Sequence, residues 1–222
     1  MNDTGFKHVT IRQVLNMSSG LDFDENYVNP FADIANFYYG TNLRKATREL
    51  KLVPGTENEF EYLSGNSQIL GAVLDKALNG KTITSYFQEK IWTPLGMEYD
   101  GSWSIDRKKN GIEKTFCCIN ARARDFAKLG RLYLNKGNWN GKQIISEKWV
   151  IESTLGNPSA GGYRGYRFQW WLPNPGEDFM AQGILGQYIY VHKPSNTIIV
   201  RLGEQSGNVD WFSTLRSLAL KL

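Results

Sequence analysis

Tyr62 and Ser64 stand two residues apart in EFEYLSGNSQILGAVLDKA (59–77), where a polar, aromatic-tipped segment turns into an apolar repeat. A phenol titrates near pH ~10 and a hydroxyl both donates and accepts, so beside a cation such a pair could share or relay a proton. Each residue has a structural use as well. A tyrosine on a loop entering a helix serves as a core or hinge aromatic, and Ser64 serves most simply as the helix N-cap. A second concentration of chemically useful side chains is aromatic: Tyr163, Tyr166 and the run QWW (169–171) with Trp170 at its centre. These rings could line a substrate cleft or a glycan-stacking surface, or fill the core. Arg124 and Asp125 read as helix anchors rather than catalysts.

Metal and cystine chemistry find little support. Cys117 and Cys118 are the only cysteines, and His8 and His192 the only histidines. That set is too sparse for a metal site, so none is expected. Adjacent cysteines seldom meet disulfide geometry, so a cystine framework is excluded and the pair is expected to pack as two small residues.

The elements that must position Tyr62 and the aromatic cluster fall into two compositional zones. TIRQVLNM (10–17) puts Ile11, Val14 and Leu15 on one helical face. Ile69, Leu70, Val73, Leu74 and Ala77 form an apolar stripe closed by Asn79-Gly80. ITSYFQEKIWTPLGM (83–97) and RARDFAKLGRLYLNKG (122–137) are amphipathic, and SEKWVIEST (146–154) begins with Ser146 as N-cap. Beyond about residue 160 the chain becomes strand-like in YRGYRFQWWL, MAQGILGQYIYVH and TIIVRLGE, with KPSN as a turn, and it closes on the helical WFSTLRSLALKL. The expected fold class is α+β: a mainly helical lobe over 9–155, then an antiparallel sheet with a C-terminal helix over 160–222.

The 222 residues suffice for one large domain or two lobes, and 22% charged with 41% hydrophobic residues fits a globular protein. The net charge of +4 is interleaved, as in RKATRELK (44–51). It reads as solvated helix surface, so no nucleic-acid partner is expected. No apolar run reaches the ~18 residues of a membrane span. Sequons at Asn2 and Asn16 are weak signals. Nothing in the sequence fixes a compartment.

Four blocks occur in one order: PGTENEFEYLSGNSQILGAVLDKA, IWTPLGM, INARARDFAKLGRLYL and NWNGKQIISEKW. With VTIRQVLNMSSGLDF (9–23) before them and GYRFQWWL and AQGILGQYIYVHKPSNTIIV after, the succession resembles the serine β-lactamase-related, penicillin-recognising hydrolases. The likeness is strongest to the branch of 6-aminohexanoate-dimer hydrolases and esterases, and it extends over nearly the whole chain. It implies a β-lactamase/transpeptidase-like fold and acyl transfer through a serine in Ser-x-x-Lys, with no organic cofactor or metal. Tyr62 falls on the second-motif tyrosine that supports the base. Ser64 falls where many relatives carry asparagine. The third motif corresponds to Ala181-Gln182-Gly183: the glycine is kept and the cation is lost. Gln182 and Gly183 would then face substrate, and the Ile184 backbone N–H would supply half of an oxyanion hole, worth ~3 kcal/mol of barrier. Loss of the cation ranks small esters or linear amides above β-lactams as substrates.

Ser-x-x-Lys itself is absent from the 222 residues. In the family the nucleophile precedes the block that begins here at Val9, so the N-terminal part is expected to be missing. A fragment, one piece of a split protein, or a degenerate relative would each account for this. A fragment would be catalytically dead and would self-associate through an unpaired sheet edge at 180–192 or a neighbouring strand. The rival expectation is a non-catalytic binder of peptidoglycan or glycan that uses the aromatic cluster.

Overall fold

The computed structural model of the chain describes residues 6–155 and 163–222; the sequon at Asn2 lies outside them. The chain divides into two compact units. The first comprises Met1–Glu89, Gly101–Asn120 and Gly161–Tyr163, and the second Lys90–Asp100, Ala121–Ala160 and Arg164–Leu222. The compositional boundary near residue 155–160 therefore separates elements that pack together in the second unit.

In the first unit, α1 (Ile11–Leu15) opens on a capping box in which the Thr10 side chain accepts from Gln13 N and the Gln13 side chain reaches back to Thr10 N. β1 (Leu21–Asp22), α2 (Asp33–Tyr39), α3 (Leu43–Glu49) and β2 (Lys51–Leu52) follow, with β1 and β2 antiparallel through Leu21 opposite Leu52. α4 (Ser64–Ala77) packs on α1 and α3, and α5 (Ile83–Phe87) leads into a π turn at Gln88–Trp92. β3 (Ser102–Trp103) pairs with β4 (Ile119–Asn120). The core joins Leu21, Phe23, Phe37, Leu63 and Ile69.

The buried face of α4 differs from the apolar stripe expected of it. Ser64, Gly65, Asn66, Gln68, Ile69 and Gly71 are buried, while Val73 is 40% exposed. Gln68 is fully enclosed because the segment 113–115 offers it partners: its Nε2 donates to Glu113 O and its Oε1 accepts from Thr115 N at 2.9 Å. A polar residue is thus buried where hydrogen bonds are supplied, and aliphatic residues further along stay at the surface.

Cys117 and Cys118 are joined as a vicinal disulfide with Cα atoms 3.7 Å apart, which corrects the expectation that no cystine forms. Cys118 takes a left-handed φ of +73°, the backbone conformation that lets neighbours close such a ring.

In the second unit α6 (Ala123–Leu134) is followed by the hairpin β5 (Asn138–Trp139) and β6 (Lys142–Gln143), turned at Asn140-Gly141 with positive φ at both residues. α7 (Glu147–Thr154) is capped by Ser146, which accepts from Trp149 N. The sheet is an antiparallel meander of β7 (Tyr166–Arg167), β8 (Trp170–Trp171), β9 (Asp178–Gly183), β10 (Gln187–His192) and β11 (Thr197–Arg201). Its alternation assigns the faces. Val191, Phe179 and Ile198 pack with Tyr133 of α6, while Tyr188, Tyr190 and Met180 pack with Leu215 of α8 (Trp211–Ala219). Gly130 lets α6 lie against the sheet, since a β-carbon there would sit 2.8 Å from Ile198 Cγ2. The run 180–192 is split by a turn at 184–186 into β9 and β10, both interior strands; β11 and β7 form the edges. Among the described residues no helix is long and apolar enough to cross a membrane.

Candidate active site

Tyr62 lies on the extended segment entering α4, and Leu63 rather than Ser64 occupies the N-cap position. Ser64 is the first helical residue, because the cap comes from elsewhere in the chain. Glu25 accepts from Ser64 N through Oε2 at 2.8 Å, and from Ser64 Oγ through Oε1 at 2.5 Å. A carboxylate at a helix start satisfies an otherwise unpaired amide and complements the helix dipole. Tyr27 completes the cluster by donating its hydroxyl to Glu25 Oε1 at 2.9 Å.

The loop that delivers Glu25 and Tyr27 is held by successive side-chain-to-backbone turns. Asp24 Oδ1 accepts from Asn26 N, Asn26 Oδ1 from Val28 N, and Asn29 Oδ1 from Phe31 N. The Tyr27 and Tyr38 rings are tilted with centroids 6.2 Å apart, and Tyr38 packs edge-on against Phe116.

Three phenols in this network have raised pKa values, although Tyr62 and Tyr27 keep 43% and 51% of their surface exposed. Burial raises the pKa of Tyr62 above the ordinary tyrosine value, and the charge of Glu25 and the neighbouring Tyr38 add to it. Burial likewise lifts Tyr38 and Tyr27, for Tyr27 against an opposing hydrogen bond to Ser64. With this surrounding, Tyr62 is a hydrogen-bond donor at neutral pH. It becomes a proton acceptor only if a cation offsets burial and Glu25. Beside residues 60–63 a cleft of about 420 Å³ is lined by Met17, Ser19, Leu21, Phe60 and Asn66 among others, and inside it Ser19 Oγ donates to Asn66 Oδ1 at 2.6 Å.

The remaining residues singled out from sequence belong to the second unit. Gln182 and Gly183 end β9, exposed and paired in register with Tyr188 and Gln187, and exposed Ile184 starts the three-residue turn to β10. Tyr166 and Trp170 are core residues, 5% and 9% exposed. Tyr166 meets Trp171 edge-on at 5.0 Å, and Trp170 meets Phe179 at the same distance. Neither offers a face to a ligand, which corrects their expected role in substrate or glycan binding. The reason is packing: Trp171 covers the Tyr166 ring, and Tyr133 and Phe179 cover that of Trp170. Asp125 is buried: burial pushes its carboxyl up, but Glu98 N at 2.7 Å and Lys128 outweigh this and hold it low. It anchors α6, as expected. Glu25, Tyr27 and Tyr38 were missed from sequence. The clustered turn-formers in DFDENYVNP were the available sign that this loop is built rather than slack.

A helical unit presenting a tyrosine at a helix mouth, and an antiparallel sheet with helices on both faces, define the β-lactamase/transpeptidase class of α+β protein. Comparison with known proteins agrees. The Beta-lactamase family model matches residues 1–221, and the chain belongs to that family of serine hydrolases. A 6-aminohexanoate-dimer hydrolase of Paenarthrobacter ureafaciens is 26% identical over 219 residues, covering 87% of this chain and 54% of the relative. A solved structure from Bacillus anthracis, assigned as a 6-aminohexanoate-dimer hydrolase, is 24% identical with a TM-score of 0.79, covering 99% of this chain and 62% of that one. A penicillin-binding protein homologue from Caulobacter crescentus shares the fold at 16% identity and TM-score 0.66, over 94% of this chain and 68% of that one. The chain thus spans about half the length of the curated relative it matches.

Proposed function

We propose that this chain carries the base-supporting part of a serine hydrolase acting on small esters or linear amides through an acyl-enzyme. The attacking serine and its lysine would come from a segment outside these 222 residues. The observation that carries this reading is the environment of Tyr62. Its phenol stands at a helix start braced by Glu25 and has a raised pKa, and its chain neighbours Glu61 and Leu63 line a cleft. A lysine ammonium arriving with the missing Ser-x-x-Lys would lower that pKa and let Tyr62 share the proton taken from the serine. Two further facts support it: the family membership, and the absence of Ser-x-x-Lys from a chain that spans 54% of its relative.

In this reading Ser64 helps hold Glu25 rather than touching substrate. The Ile184 N–H would donate to the oxyanion, and exposed Gln182 and Gly183 would border the acyl group. The 222-residue chain alone would be inactive and would associate with itself through the free side of β11, the sheet edge.

A fluorophosphonate probe tests the proposal. It should leave the 222-residue chain unlabelled and label a protein extended with a Ser-x-x-Lys segment from its own upstream reading frame. Tyr62→Phe in that extended protein should abolish turnover of a small ester while leaving the fold intact. Labelling of the 222-residue chain, or full activity of Tyr62→Phe, would overturn the assignment.

A further inference from the structure

The charge of RKATRELK is dispersed along the sequence but not on the folded surface. Arg44 of α3 donates from Nη1 to Asn110 O at 2.7 Å, and Leu43 N donates to Asp106 Oδ2 at 2.9 Å. Those two bonds dock the loop 106–112 on the start of α3, across a sequence separation of 66 residues between Arg44 and Asn110. The loop is closed on itself as well. Asp106 Oδ1 accepts from Ile112 N at 2.8 Å, Asp106 N donates to Ile112 O at 3.1 Å, and Asn110 adopts a φ of +54°. At its exposed tip stand three consecutive cations, Arg107, Lys108 and Lys109. Arg48, one turn beyond Arg44, shares its helix face, and exposed Lys45 flanks it.

Three carboxylates belong to this surface. Glu49 pairs with Lys45 at 3.7 Å, Asp75 pairs with Arg44 at 3.4 Å, and Asp106 is engaged by two backbone amides. Six cations facing three carboxylates leave a positive surplus of three on one patch, in a chain whose whole net charge is +4.

We infer that this patch docks the chain on the anionic headgroups of a lipid bilayer. Arginine and lysine on a projecting turn suit a diffuse, mobile layer of negative charge, where each cation near the surface contributes separately. A single strand of nucleic acid would call for aromatic platforms between the cations, and neither RKATRELK nor RKKN contains an aromatic residue. The inference is independent of the catalytic proposal, since none of these residues belongs to the candidate active site.

Vesicle co-sedimentation of the 222-residue chain tests it, using phosphatidylglycerol–phosphatidylcholine vesicles beside pure phosphatidylcholine. The chain should pellet with the anionic vesicles alone, and raising the salt should release it. Arg107→Ser/Lys108→Ser/Lys109→Ser should weaken binding on the order of 100-fold. Lys142→Ser/Lys148→Ser/Lys221→Ser removes the same charge elsewhere and should have little effect. Equal binding to both vesicle types, an equal loss in the two triple variants, or tighter binding to single-stranded DNA than to anionic vesicles would each overturn the inference.

Discussion

Glu25→Gln perturbs the centre of the candidate site with almost no change in volume. In the native arrangement one carboxylate oxygen takes the hydroxyls of Ser64 and Tyr27, and the other takes the Ser64 amide. The best that a glutamine can do is keep its oxygen toward the two hydroxyls. Its NH₂ group then faces the Ser64 N–H, donor against donor, at a residue that is only 8% exposed. A buried amide left without an acceptor costs about 1–3 kcal/mol, and the two retained bonds lose their charge assistance. Glu25 is half-buried, so water recovers part of this, and a net loss of about 2 kcal/mol is expected. In urea that moves the midpoint down by about 1 M, and amide protection at the start of α4 should fall roughly 30-fold. The Tyr62 titration, followed by NMR of labelled tyrosine, should move down because the Glu25 charge is gone. It should stay above the ordinary value because burial, the larger cause, persists. An unchanged urea midpoint together with an unmoved Tyr62 titration would refute the role given to Glu25.

Other perturbations reach the frame around the site. At Gly71 an added β-carbon would lie 2.6 Å from Thr115 Cγ2, and Thr115 Oγ1 donates to Ser67 O at 2.9 Å. Gly71→Ala gains about 1 kcal/mol of helix propensity but costs more in overpacking and a broken bond, so a net destabilisation of about 2 kcal/mol should appear in urea titration. Tyr190→Phe removes a 2.8 Å bond to Asp178 Oδ2, a carboxylate still held by Arg216 and Asn174. It should cost about 1–2 kcal/mol, and no change in thermal midpoint would show the bond to be idle. Tyr27, Tyr38, Tyr62, Tyr188 and Tyr190 all have raised pKa values, chiefly through burial. Folding therefore binds these protons more tightly than the unfolded chain does. Their contribution is complete below the unfolded value of about 10 and is lost as pH rises from there toward the folded values. Melting temperatures that stay flat across this alkaline range would contradict it.

The parts of the fold that sequence made legible are those governed by near neighbours. The Ser146 cap of α7, the KPSN turn and the closing helix α8 each depend on contacts within a few residues. The site itself depends on distant ones. Ser64 looked like a cap because Glu25, 39 residues earlier, is invisible to local pattern. The α4 stripe was misjudged because hydrophobicity alone ranks Val73 above Gln68, whereas the segment 113–115 rewards a side chain that can bond. Trp170 and Tyr166 offered the same composition to a cleft or a core, and only the rings that fold against them decide between the two. The patch formed by α3 and the loop 106–112 had no sequence sign, since each half is ordinary alone.

Gln68 carries a consequence for the tyrosine six residues before it. Position 68 needs one donor and one acceptor at amide length: glutamate lacks the first and leucine lacks both. The entry of α4 is thereby clamped from behind by an enclosed amide and from the front by a carboxylate. In the proposed hydrolase the tyrosine segment would be ordered before any substrate arrives, and the cost of ordering it would be met once, during folding.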